Sequence, residues 1–130
     1  MFFAFFMTSL LFAAEPSCLL LTPGEAQVVA KTNEARTVAG VTVLTTDCRL
    51  MSNARRQARA MAAATAIFHS TEQVRAENVA GGQPTAADAV VVWLCSPPHR
   101  ANILNRSWSK VGCAGFVGPD GRCYWVQQFE

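Results

Sequence analysis

Histidine is scarce in this 130-residue chain: His69 and His99 are the only two, so any chemistry that needs imidazole runs through them. They form no HExxH pair, which excludes the helical zinc-protease pattern. No CxxC pair occurs either, so a zinc ribbon is not signalled. Charge of either sign is thin, eleven Lys and Arg against nine Asp and Glu, for a formal net charge of +2. That falls short of the basic footprint needed to neutralise a phosphate backbone, so nucleic acid is not an expected partner. Beyond the N-terminus there is no apolar run of membrane length, no internal repeat and no low-complexity segment.

What is present fits one domain, a length that buries most of its apolar surface without a partner. The first twelve residues hold five of the eight Phe, and MFFAFFMTSLLFAA is an uncharged apolar run of fourteen residues that ends in small residues before Glu15 and Pro16. It has the length of a signal-peptide core and is shorter than the roughly 20 residues that span a bilayer. Residues 1–14 are therefore expected to be a removable export signal, with an uncleaved anchor as the alternative, and the mature chain to be secreted. Export suits the five cysteines, Cys18, Cys48, Cys95, Cys113 and Cys123, which then read as disulfide partners: two bridges and one thiol left over, the pairing open. The turn at Gly118-Pro119-Asp120-Gly121 sits between Cys113 and Cys123. With an even-length loop the two face opposite sides of the hairpin, so no bridge is expected between them.

Thr22-Pro23-Gly24-Glu25 is a capping box that opens a first helix, expected to run to about Val38 and stop at Gly40. Val28, Val29, Thr32 and Ala35 make its apolar stripe, with Lys31, Glu34 and Arg36 offset from it. After an extended link at 41–44, Asp47 caps a second helix whose Leu50, Ala54, Ala58, Met61 and Phe68 recur on a single face. Arg55, Arg56 and Arg59 lie largely opposite and read as a solvated face rather than a phosphate site. Glu77-Asn78-Val79-Ala80 before two glycines is a short strand or loop. Thr85 caps a third helix carrying Ala89, Val90, Trp93 and Leu94 inward until Pro97 and Pro98 stop it. Residues 111–117 and 122–129 read as two antiparallel strands. The order helix, helix, strand, helix, strand, strand fits an α+β fold with helices flanking a small antiparallel sheet.

The residues with chemical potential are His69 after the second helix, Glu77 eight residues later, and His99 beyond the third helix. A joint site requires the fold to gather them, because no local spacing does so. Cys95 and His99 invite a reading as a thiolate with its base, but the intervening prolines take the pair out of helical register. A disulfide or buried thiol is expected at Cys95. Trp93, Trp108 and Trp125 read as core rather than as an aromatic ligand groove.

Taken in order, NEAR at 33–36, Leu44, Asp47 and Leu50, then FHS, AENVA, AVVVWLCSPPHRANIL, KVGCAGF and YWVQQF resemble the cysteine-rich secretory, venom-allergen and plant pathogenesis-related (CAP) superfamily. The likeness spans 22–130 and is greatest to bacterial-type SCP domains. It implies a three-layer α-β-α sandwich and a cavity lined by His69, Glu77, Asn78, Ser96 and His99. By the same resemblance His69 and His99 are the ligands of a divalent metal such as zinc, with Glu77 orienting a water or a ring N–H. The chain departs from the eukaryotic W-x-x-E step, because Trp93 is followed by Leu94, Cys95 and Ser96; bacterial-type relatives commonly carry Ser there. Ala76 replaces the usual Gly before Glu-Asn, and the loop after FHS is short.

Three functions remain open at this point. The first is binding, with a metal, a sterol or other lipid, a cell-wall component or a protein as ligand. The second is zinc-assisted hydrolysis with Glu77 as general base. The missing second glutamate weighs against it. The third is a structural interaction module with a vestigial cavity.

Overall fold

The computed structural model describes residues 17–130, so the expected signal at 1–14 lies outside the described residues. A short 3-10 turn at Ser17–Leu19 leads into α1, Pro23–Val38, β1, Thr45–Thr46, and α2, Cys48–Ala64. β2, Ala76–Gly81, is followed by α3, Ala86–Leu94, and α4, Pro97–Leu104, and a hairpin of β3, Lys110–Val117, and β4, Cys123–Phe129, completes the chain. Among the described residues, no helix is long and apolar enough to cross a membrane.

The caps form where the sequence places them. Thr22 Oγ1 accepts from the Glu25 N–H at 3.2 Å while Glu25 Oε2 accepts from the Thr22 N–H at 3.0 Å. Asp47 caps α2 through the Leu50 N–H at 3.1 Å, and Thr85 caps α3 through the Asp88 N–H at 3.2 Å. Each oxygen satisfies a donor that the first helical turn leaves unpaired.

The sheet has strand order β1-β3-β4-β2. β3 pairs antiparallel with β4, and β4 with β2, as the hairpin reading requires; the two-residue β1 adds a parallel edge on β3, so the sheet is mixed. α2 covers one face, packing Ala54, Ala58 and Met61 on Ala114, Tyr124 and Val126. The other face carries Val111, Cys113, Trp125 and Phe129 under Val28 of α1, Val90 and Trp93 of α3 and Ile103 of α4. This is a three-layer α-β-α sandwich. α2 lies so close to β3 that a Cβ on Gly112 would sit 2.1 Å from the Leu50 carbonyl carbon.

Several expectations are corrected. Pro97 and Pro98 do follow the end of α3 at Leu94, but they open α4 rather than merely closing α3. Proline supplies no N–H, and the first turn of a helix has no use for one. α2 ends at Ala64 with Thr65 at φ 49°, so Phe68 lies past the helix and is exposed instead of extending its apolar face. Arg36, although offset from the apolar stripe of α1, is fully buried. One disulfide forms, Cys18–Cys48, and three thiols remain. Cys95, expected in a disulfide or buried, is a free and exposed residue at the C-cap of α3.

Cys113 and Cys123 are unbridged as expected, but for another reason. Val117 pairs with Cys123, so the loop between them has an odd number of residues and both cysteines face the same side. Cys113 is opposite Gln127, four residues along the strand from Cys123, which is too far for a bridge. The arginine face is also only partly solvated: Arg55 holds the buried Glu25 carboxylate through Nε at 2.9 Å and Nη2 at 2.8 Å. Arg56 pairs with Glu72 at the surface, and Arg59 stacks 5.3 Å from the Phe116 ring centre. Trp93 and Trp125 are buried in the core, as expected.

Candidate functional site

Glu77 and Asn78 are consecutive residues of β2, so their side chains leave opposite faces of the sheet. Glu77 stands opposite Gln128 of β4 on the α2 face. Its side chain is only 6% exposed, and three donors meet it. Oε1 accepts from the Ser70 backbone N–H at 2.8 Å and faces Nδ1 of His69 at 2.8 Å. Oε2 accepts from Nε2 of Gln128 at 2.6 Å. A buried carboxylate survives only when hydrogen-bonded in this way.

His69 belongs to the loop after α2, which Gln57 anchors by donating to the Phe68 carbonyl at 2.6 Å. Its side chain is 65% exposed. Because an ionised carboxylate only accepts, the neutral His69 ring carries its proton on Nδ1 and leaves a lone pair on Nε2.

Asn78 is fully buried beneath α4. Nδ2 donates to the His99 carbonyl and to Oε1 of Gln127, both at 3.2 Å, and Oδ1 accepts from Nδ2 of Asn102 at 2.9 Å. Gln127 in turn donates to Thr32 Oγ1 of α1 at 2.5 Å. This chain of amides locks α4 and α1 onto the sheet and leaves Asn78 no nitrogen proton for a ligand. His99, in the first turn of α4, is half-buried with Nδ1 2.8 Å from Oγ of Ser96. Each imidazole thus has Nδ1 engaged by a neighbouring side chain.

The fold therefore pairs His69 with Glu77 and Ser96 with His99, and joins the two halves through adjacent positions of β2. Sequence reasoning missed Ser70, Gln127, Gln128 and Asn102, the groups that hold these side chains. Their signal is strand register: Gln128 meets Glu77 only because β2 and β4 pair with that offset. Oε1 of Gln128 is buried with no protein partner. Among the described residues, no three His, Cys, Asp or Glu side chains are grouped to hold an ion. A separate groove of about 590 Å³ lies between α1, α3 and α4, lined by Ala35, Val38, Val90, Val91 and Leu94 with Lys31 and Arg100 among its polar residues. None of the pairs above lines it.

Residues 29–129 match the sequence profile of the cysteine-rich secretory protein family, CAP. The protein YkwD of Bacillus subtilis (strain 168) is 30% identical over 121 residues, a match covering 81% of this chain and 46% of that protein. The chain thus spans less than half of that relative's length. An outer surface protein from Borrelia burgdorferi superposes with TM-score 0.71 at 21% identity, covering 80% of this chain and 89% of that one. NaASP2, whose crystal structure was determined with Zn2+, superposes with TM-score 0.67 at 14% identity over 88% of this chain and 82% of its own. At those identities the two structures speak for the fold, and the profile match speaks for descent. A profile match over most of the chain, on a sandwich that carries FHS, AENVA and SPPHRANIL in that order, places this protein in the cysteine-rich secretory protein (CAP) family.

Proposed function

We propose that this domain, spanning 22–130, acts by binding at the surface formed by His69, Glu77, Ser96 and His99, with Asn78 buried behind it as a brace rather than a lining residue, and that a divalent metal, zinc foremost, is its first ligand. The observation that carries this reading is the Glu77 carboxylate: buried, fixed by Ser70 and Gln128, and set against His69 Nδ1. A metal-ligating histidine characteristically donates its second ring N–H to a carboxylate, which fixes the tautomer that offers Nε2. His69 has that partner in place, and His99 is the second imidazole. When bound, zinc would supply a Lewis-acidic centre at these two rings.

Hydrolysis is less well supported. Catalytic zinc sites use three protein ligands, and here a serine stands where the second glutamate would be. Glu77, with three donors on it, is a fixed acceptor rather than a free base. The structural-module reading has no observation of its own. The lipid reading is favoured by the apolar lining of the groove between α1, α3 and α4, where displacement of a fluorescent fatty acid would test it. Secretion, with residues 1–14 as the signal, accords with the Cys18–Cys48 bridge, since disulfides persist in oxidising compartments.

Calorimetric titration with zinc tests the metal reading. His69→Ala and His99→Ala are each expected to abolish stoichiometric uptake while leaving the circular dichroism spectrum intact. Uptake unchanged in both variants would sink it.

A further inference from the structure

Phe116 and Val117 end β3 with exposed side chains, and the backbone beside them is open on one edge. Lys110 and Glu130 exchange both of their hydrogen bonds, at 2.8 and 3.1 Å. Bonding alternates along an antiparallel pair, so Gly112, Ala114 and Phe116 also turn their N–H and C=O toward β4, while Val111, Cys113, Gly115 and Val117 turn theirs away. On that far side β1 reaches only Lys110 and Val111. The Cys113 N–H finds Met51 Sδ at 3.3 Å. Among the described residues, no backbone group bonds the outward N–H or C=O of Gly115 or Val117.

Glu25 and Arg55 belong to helices on opposite faces of the sheet, so their ion pair at 2.8 Å passes around the β3 edge. It does so beside Cys113, whose Sγ lies 3.4 Å from the Glu25 carbonyl oxygen. Past this clasp a groove of about 300 Å³ follows the edge, with Leu20, Arg59, Gly115 and Phe116 in its wall. The two sides of the edge differ in chemistry. Side chains alternate along a strand, so Phe116 faces the α2 side, where the Arg59 guanidinium lies over its ring, and Val117 faces the other side, 64% exposed. Among the described residues Arg59 has no carboxylate partner.

We propose that this edge is the docking site of an extended peptide segment, which adds as a strand beside Gly115–Val117 with acidic side chains toward Arg59 and apolar ones toward Val117. In strand addition the unpaired backbone groups supply affinity and the alternate side chains select the partner. A second copy of this chain fits less well, because pairing β3 with its own twin sets two Arg59 side chains on the same face of the joined sheet. The edge lies two strands from β2, across the sheet from Glu77, and owes nothing to the metal reading.

A fluorescently labelled octapeptide of alternating valine and glutamate, with a valine and lysine counterpart, tests this on the whole chain by anisotropy and by amide hydrogen exchange in NMR. The glutamate peptide is expected to bind and to slow exchange at Gly115 and Val117, leaving Ala114 and Phe116, already bonded to β4, unchanged. The lysine peptide should bind about fivefold more weakly, and Arg59→Gln should weaken the glutamate peptide about fivefold and flatten its salt dependence. Val117→Pro removes an outward N–H and no ladder bond, so it should keep the circular dichroism spectrum and weaken binding roughly tenfold. If that variant fails to fold, the exchange pattern of the parent decides. No binding, equal binding of both peptides, or binding that leaves Gly115 and Val117 unprotected would overturn the proposal. So would a dimer of the parent in sedimentation velocity that Val117→Pro dissolves, which assigns the edge to a second copy.

Discussion

At the scale of single residues, the most consequential side chain outside the candidate site is Arg36. Its guanidinium is fully buried without a carboxylate, and burial lowers its pKa. Nε donates to the Thr42 carbonyl at 2.7 Å, Nη1 to Ile103 at 2.7 Å and Asn105 at 2.9 Å, and Nη2 to Trp108 at 3.3 Å. One planar fork thus closes four carbonyls from the end of α4 and the segments around it, and ties them to α1. Lysine has three donors on a single nitrogen and cannot span them. Arg36→Lys is expected to lower stability by about 3 kcal/mol, the cost of stranding one or two buried carbonyls. Urea unfolding reads it, and a change under about 1 kcal/mol would contradict this account. The sequence placed Arg36 beside the apolar stripe of α1, but a charge at that position signals water until the segments that cover it are known.

At the scale of elements, the α2–β3 contact and the β3–β4 hairpin each make a prediction. The virtual Cβ of Gly112 would lie 2.1 Å from the Leu50 carbonyl carbon and 2.3 Å from its oxygen, both backbone atoms that no rotamer change can move. Gly112→Ala must push α2 off the sheet. A loss of about 3 kcal/mol, at the upper end for an overpacked core, is expected in chemical unfolding.

In the hairpin, Tyr124 donates its O–H to Oδ2 of Asp120 at 2.6 Å. That bond, foremost among the causes, lowers the Asp120 pKa and raises that of Tyr124. The lowered carboxyl contributes stability above its unfolded pKa and loses it as pH falls through the folded value. The raised phenol contributes below its unfolded pKa and loses it as pH rises through the folded value. The hairpin contribution should therefore be full near neutrality and fade at both ends. Tyr124→Phe is expected to make both flanks of a plot of melting temperature against pH shallower, and a profile matching the parent's would count against the bond.

At the scale of the whole molecule, the Cys18–Cys48 bridge closes a sequence separation of 30 and pins the N-terminal turn to the start of α2. Chain-entropy reasoning assigns a loop of that length about 3–4 kcal/mol. Cys18→Ser, or reduction, should lower stability by that order and leave the sandwich formed, because neither core cluster includes either residue. The remaining thiols differ in environment. Cys113 is fully buried, and burial pushes its thiol pKa up; Cys123 is shifted the same way less severely, and Cys95 is exposed. An alkylating reagent in the same experiment should therefore reach Cys95 first and Cys113 only on unfolding.

How much could be read in advance follows from how local each cause is. Caps, turns and apolar periodicity depend on neighbours within a few residues, so the limits of α1, the starts of α2 and α3 and the terminal hairpin were legible in the chain. The order of FHS, AENVA and SPPHRANIL was enough to identify the family and to single out His69, Glu77 and His99. Tertiary structure decided everything that depends on which distant groups meet: the pairing of β2 with β4 that brings Gln128 to Glu77, the amide chain that buries Asn78, the burial of Arg36 and the disulfide partner of Cys48. Ser96 stands between these cases. Its place before Pro97 and Pro98 is plain in the sequence, but only the fold turns its hydroxyl to His99.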